Sequence, residues 1–274
     1  ATHFGLEREL GSIAPGRRAD MILTSDLVTL PIEHVIARGQ TVAIDGKITV
    51  DCPHYDWPAA ARQTVHLGKV LDAHDFAIKA PEGANAVTAK VIGVVENQAP
   101  TKALTFELPV TEGRVQATGE VCQIALVERH RGTGGVTNGF VSGFGYTGRM
   151  AIASTVAHDS HHMIVVGTDR DCMAQAANRL GAVGGGITVW KDGAEIALVR
   201  LPIAGLMSDR PAAEVAADAD AMIAAMAACG CTLHNAYMQH SLLALVVIPE
   251  LRISDLGLVD VTAFKLTPLF EAPQ

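Results

Sequence analysis

The sequence predicts a mixed α/β fold of the α+β kind, and three observations predict it. In the second half, short β-rich apolar runs alternate with Ala- and Met-rich helical runs, without the regular period of a strand–helix–strand repeat. Two Asp-Gly pairs, Asp45-Gly46 and Asp192-Gly193, stand between apolar runs, and both residues of such a pair tolerate the positive φ of a two-residue hairpin turn. Hydrophobic residues make up 49% of the 274 and charged residues 18%. That is ample for a core, with a surface poor in charge, as expected where another domain or subunit covers part of it.

Residues 1–10 read as the last turns of a helix whose beginning lies outside the chain. Residues 10–20 form a turn-rich connector centred on Pro15-Gly16. A strand over 21–24 follows, then apolar runs over 32–39 and 41–48, completing a small β unit. From 52 to 74 the pattern is weak and interrupted by Pro53 and Pro58, which reads as a linker with one short helix at 59–61. Strands are expected over 86–95, 103–109 and 121–128. Gly132, Gly134, Gly135, Gly139, Gly143, Gly145 and Gly148 mark a loop that lets backbone approach a ligand or another domain, or else a mobile surface loop. Apolar runs over 150–156 and 163–167 then flank a histidine-rich stretch. Asp169 is the expected cap of a helix to 183, with Met173, Ala176, Ala177 and Leu180 as its apolar face. A hairpin over 187–201 follows. A second helix is expected to start at an Asp209 cap, with Pro211 in its first turn, and to run to about Cys229. A short helix within 234–245 and strands over 251–254 and 259–266 close the chain. The expected division is 1–10 as a helix end, 11–70 as a β unit with its linker, and 71–274 as an α/β domain.

The net charge of −8, with no Lys/Arg cluster, argues against a nucleic-acid surface. The longest apolar run, 242–249, is far too short to cross a bilayer. The cysteines (Cys52, Cys122, Cys172, Cys229 and Cys231) are odd in number and irregularly spaced, and no signal peptide is recognisable. They read as free thiols of a reducing cytoplasm. Cys229-Gly230-Cys231 matches neither a zinc knuckle nor a thioredoxin site.

Three of the eleven histidines and one acid fall within His158-Asp159-Ser160-His161-His162. His158, Asp159 and His161 are the first catalytic candidates: an imidazole exchanges protons near neutral pH, and a carboxylate fixes its tautomer and raises its basicity. The same stretch supports two other readings. His158, His161 and His162, with the carboxylate, have the spacing of metal ligands, and the loop could instead brace an interface through hydrogen bonds. Glu128 and His130 are weaker candidates, flanking Arg129 on the opposite side of an alternation; the alternative there is a surface ion pair. Asn178 reads as structural. His3, His34, His54, His66, His74, His234 and His240 read as packing or surface histidines.

Two signatures carry a resemblance. Gly11-Ser12-Ile13-Ala14-Pro15-Gly16-Arg17-Arg18-Ala19-Asp20, followed by a strand, resembles the re-entry from barrel to small β-sandwich in the amidohydrolase superfamily. The histidine stretch, the segment from Gly184-Gly185-Gly186-Ile187 to Ser208-Asp209, and the segment from Ile248-Pro249-Glu250-Leu251 to Val259-Asp260 are similar to the C-terminal domain of bacterial adenine deaminase. They stand in the family's order, and the resemblance covers essentially the whole chain. It implies a remnant of the β-sandwich followed by an adenine-deaminase-type α/β domain, with no complete TIM barrel; the family's barrel His-x-His pair does not occur here. It implies hydrolytic deamination of adenine to hypoxanthine and ammonia in the full-length enzyme. This chain would act there as a covering domain, inactive by itself. The implied cofactor is a divalent metal, manganese or iron, in a binuclear centre bound mainly by the barrel. The implied partners are adenine, the barrel domain and further copies in a homo-oligomer, with no nucleic acid and no membrane. His158, Asp159 and His161 are carried over as contributors to a shared active site; the family's loop often ends His-Asn, so the carry-over stops short of His162. A stand-alone ligand-binding module, or a small metalloprotein using the His158–His162 loop, remains the rival reading.

Overall fold

A computed structural model describes residues 1–271. Its contacts divide the chain into two compact units, residues 1–56 and the remainder from Trp57.

In the first unit, the helix end expected over 1–10 is reduced to a 3₁₀ turn at Thr2–Phe4. Gly5, at φ 67°, reverses the chain after one turn, so no longer helix propagates. Strands β1 (Met21–Leu23), β2 (His34–Ala37), β3 (Gln40–Ile44) and β4 (Lys47–Ile48) form an antiparallel sheet in chain order. Asp45 and Gly46 make the β3–β4 turn, both with positive φ. No residue of this unit is buried, and Ile22, Ile44 and Ile48 are exposed. A sheet buries an apolar face only against a second layer, and these 56 residues do not form one.

The second unit begins earlier than the expected boundary at residue 71. Helix α1 (Ala59–Arg62) and the segment after it, read from sequence as linker, are packed into the unit. Val65 and Leu67 lie against its core, His66 N donates to Arg129 O at 2.8 Å, and the Asn178 side chain bonds both Leu71 N and Leu71 O.

Its frame is a nine-stranded sheet of β5 (Ala86–Gly93), β6 (Lys102–Thr111), β7 (Arg114–Val115), β8 (Val121–Val127), β9 (Val136–Ser142), β10 (Met150–Ser154), β11 (Met163–Gly167), β12 (Gly186–Lys191) and β13 (Ala194–Arg200). The spatial order is β13-β12-β10-β11-β8-β9-β5-β6-β7. All neighbours are antiparallel except β5 and β9. Every residue of β8, β10 and β11 is buried. Continuous apolar runs of this kind mark strands covered on both faces. On one face, Met173, Ala176, Ala177 and Leu180 of α2 (Arg170–Val183) meet Ala125, Ala153, Met163 and Val165. On the other lie Met222 and Met226 of α3 (Ala212–Ala228), then α4 (Ala236–Leu242). A small sheet of β14 (Leu251–Ser254), β15 (Gly257–Asp260) and β16 (Lys265–Leu266) completes that layer, burying Leu251, Ile253 and Leu258.

Two expectations are corrected. The glycine-marked stretch 132–148 contains β9, paired with β8 from Val127↔Val136 to Val121↔Ser142. The buried Phe140-Val141 pair inside it supplies the strand's apolar contribution. Asp209 does not cap α3. The helix starts only after Pro211, which occupies the cap position, so Asp209 lies too far upstream and pairs instead with Arg62 Nη1 at 2.7 Å. His240 is a packing residue. It is fully buried on Phe144, both ring nitrogens lack partners, and burial pushes its pKa down to about 3.

Asp169 does cap α2: its Oδ1 accepts from Cys172 N at 3.0 Å. Asp169→Ala is expected to cost about 1 kcal/mol. Urea denaturation checks this: the midpoint falls at constant slope, and an unchanged midpoint contradicts the capping role.

Candidate functional site

Strand register decides which loops meet. Val127 at the end of β8 pairs with Met163 at the start of β11, and Ser154 at the end of β10 pairs with Ile164. The loops 128–135 and 155–162 therefore leave the same end of the sheet. Together with the β14–β15 turn they enclose a cavity of about 500 Å³. Glu128, His130, Thr133, Thr137, His162 and Asp255 form its polar wall, over Leu126 and Val136.

The extended chain after β8 turns Glu128 and His130 to the cavity and Arg129 away from it. Glu128 is only 8% exposed. Oε1 accepts from His130 N (2.5 Å) and Arg131 N (2.8 Å), and Oε2 accepts from Thr133 N (3.0 Å) and Thr133 Oγ1 (3.1 Å). Burial alone would raise its pKa, but these four donors outweigh it and hold the carboxyl at about 2. The surface ion pair considered for this segment is thus replaced by a buried carboxylate satisfied within its own loop. The exposed His130 bonds the Ser160 carbonyl through Nε2 at 2.8 Å, tying the two loops together. Its ring lies 4.7 Å from that of His162. His162 is buried, with Nδ1 unpartnered and Nε2 3.7 Å from Asp255 Oδ2. Burial, then the neighbouring His130, lowers its pKa.

The histidine loop closes on itself. His161 N donates to Ala157 O at 2.7 Å, and Ala157 N donates to His161 Nδ1 at 3.2 Å. With Nδ1 accepting, the neutral ring carries its proton on Nε2. The His158 ring stands edge-on to His161, centroids 5.3 Å apart, and His158 N donates to Ser241 O. His158 and His161 are half-buried, and Asp159 is exposed. Burial lowers the His161 pKa, helped by His158 and Arg129 and opposed by Asp159.

The sequence cluster is therefore split. His161, at φ 51°, turns the chain so that His162 faces the cavity with Glu128 and His130, while His158, Asp159 and His161 lie outside its wall. Among the described residues no three His, Cys, Asp or Glu side chains are grouped as a metal ion requires, so the geometry does not assemble His158, His161 and His162 as a ligand set. Sequence reasoning missed Asp255. Thr137 Oγ1 donates to the Asp255 carbonyl across 118 residues, a tertiary pairing with no local signal.

Because the Glu128 pKa is depressed on folding, its charge stabilises the fold above the usual carboxylate value of 4.5, and that stabilisation is lost as pH falls toward 2. The stability gap between wild type and Glu128→Gln should be full at pH 7 and shrink markedly by pH 3, as measured by urea denaturation. A gap independent of pH contradicts the ionised, main-chain-bound carboxylate.

Residues 98–265 match the family model of the adenine deaminase C-terminal domain. The chain is 80% identical over 273 residues to an adenine deaminase of Roseobacter denitrificans, covering 100% of this chain and 46% of that protein. It is 77% identical over 271 residues to one of a Ruegeria species, covering 99% and 45%. Against one of Moorella thermoacetica it is 44% identical over 268 residues, covering 97% and 45%. It thus spans somewhat less than half the length of these curated relatives. The sheet-and-helix architecture, with no closed barrel among the described residues, agrees with that match, and the chain belongs to the adenine deaminase C-terminal domain family.

Proposed function

We propose that the protein of which this chain is the C-terminal region hydrolyses adenine to hypoxanthine and ammonia, and that the loops 128–135 and 155–162 form the face it turns to the catalytic part. The names of the relatives support the reaction. The observation that carries the site is the strand register that puts both loops, with all their titratable groups, at one end of the sheet.

A divalent metal, manganese or iron in a binuclear centre, supplies hydroxide near neutral pH in such chemistry. The side chains here do not fit it, since no three suitable donors are grouped among the described residues. We assign that centre to a barrel domain of the same protein.

The residues of this chain suit proton handling. His161 presents an Nε2–H, the donor type that stabilises charge building on a ring nitrogen. His158 lies against it as a second imidazole, and burial holds His161 toward the neutral form in which Nε2 is the donor. Glu128 and His130 support the loop from the cavity side, His130 through Ser160 O. A covering domain at this position also excludes water from the reacting centre. A cytoplasmic homo-oligomer is the proposed state of the whole protein.

In the full-length protein, His161→Gln and His158→Gln are each expected to lower kcat for adenine about a hundredfold, the scale of losing one positioned donor to developing charge, with the fold intact by circular dichroism. Wild-type kcat in both variants refutes the site assignment. The purified 274-residue chain by itself is expected to release no ammonia from adenine; measurable turnover contradicts the division of labour.

A further inference from the structure

We propose that Arg129 is a positioning residue for the histidine loop: its guanidinium clamps carbonyl groups from three separate segments and thereby fixes the peptide of His161, and with it the facing pair His158 and His161. The inference rests on the reading of that loop as part of the deaminase site.

Arg129 is 1% exposed. Nε donates to His161 O at 2.5 Å, Nη1 to Thr64 O at 3.2 Å and Nη2 to Ala204 O at 3.2 Å. The Arg129 carbonyl in turn accepts from His66 N. None of these side-chain acceptors is a carboxylate. A buried guanidinium with no ion-pair partner among the described residues is an expensive way to fill space, and an apolar side chain of similar volume would do that at lower desolvation cost. What arginine adds is a rigid planar fork that reaches several acceptors at fixed angles.

The second observation lies at the other end of the same loop. Thr155 Oγ1 donates to Gly205 O at 2.6 Å and accepts from Gly186 N at 2.8 Å. Gly205 also lies flat on the guanidinium: at φ 71°, a Cβ there would stand 2.8 Å from Nη1. Both ends of the loop are therefore fastened to the segment 204–205, one through Thr155 and the other through Arg129. The bonds between Ala157 and His161 close the loop but do not attach it to the body of the domain. His158 N is held by Ser241 O, and Arg129 attaches the His161 end from the buried side, opposite His130, which holds Ser160 O from the exposed side.

The test uses the full-length enzyme. Arg129→Lys keeps a cation but cannot span three carbonyls. It is expected to lower kcat about tenfold or more, with KM changed less than about twofold, since a small misplacement of reacting groups costs turnover rather than ground-state binding. Arg129→Ala should lose more, and added ethylguanidinium should restore part of kcat while ethylammonium does not. Wild-type kcat in Arg129→Lys, a loss confined to KM, or a folded Arg129→Ala that ethylguanidinium leaves unchanged overturns the proposal. If Arg129→Ala does not fold, Arg129→Lys alone decides. His161→Gln and His158→Gln separate the two levels: wild-type kcat in both removes the reading of the loop, and this inference with it, whereas a loss in either beside an unaffected Arg129→Lys removes only Arg129.

Discussion

At the end of β8 two opposite charges are adjacent in sequence and cannot pair. An extended chain sends successive side chains to opposite sides, so Glu128 faces the cavity and Arg129 the interior. Both are buried, and each is satisfied by main chain. Glu128 collects the N–H groups of His130, Arg131 and Thr133 and so shapes its own loop. Arg129 collects carbonyls from elsewhere and so joins that loop to its neighbours. In a low-dielectric interior an unmade bond to either charge is costly, so the loops have little freedom to rearrange without losing one.

The same device recurs beside α4. Arg252 is also 1% exposed, and it donates from Nε to Ile248 O (2.8 Å), from Nη1 to Leu242 O (3.1 Å) and from Nη2 to Ala99 O (2.5 Å). Burial lowers both arginines to about 10, which leaves them cationic at neutral pH. The labour is divided. Apolar burial on both faces of the sheet is strong but non-directional, and it does not say where a loop should lie. The two guanidinium forks supply direction at the points where chain segments leave the layers.

What the sequence made legible follows the same division. The runs that became β8, β10 and β11, the Asp169 cap with the Met173–Leu180 face, and the Asp192-Gly193 turn are local, periodic signals, and they hold in the structure. β9 is obscured because Gly139 and the glycines on either side of the strand outweigh Phe140-Val141 in composition, while the pairing with β8 that makes it a strand is a tertiary contact. The histidine stretch stood out by density alone. Its division into His158 facing His161, and His162 facing His130, depends on the positive φ of one residue, His161, which its residue type does not announce. The alternation around Arg129 was readable; the shell of N–H groups around Glu128 and the arrival of Asp255 were not, because they arise from turn geometry and from a contact across the fold.

These constraints narrow what the sheet end can do with protons. Glu128 and Arg129 are locked in their ionised forms by main-chain partners. Burial holds His162 toward its neutral form, and Asp255 lies 3.7 Å from it, beyond hydrogen-bond reach. Among the imidazoles of the loop the backbone selects one tautomer: the Ala157 N–H occupies Nδ1 of His161. A neutral His161 is therefore a hydrogen-bond donor through Nε2. In the function proposed above, the loop is thus preset to give a hydrogen bond, which matches the need of a ring nitrogen gaining charge.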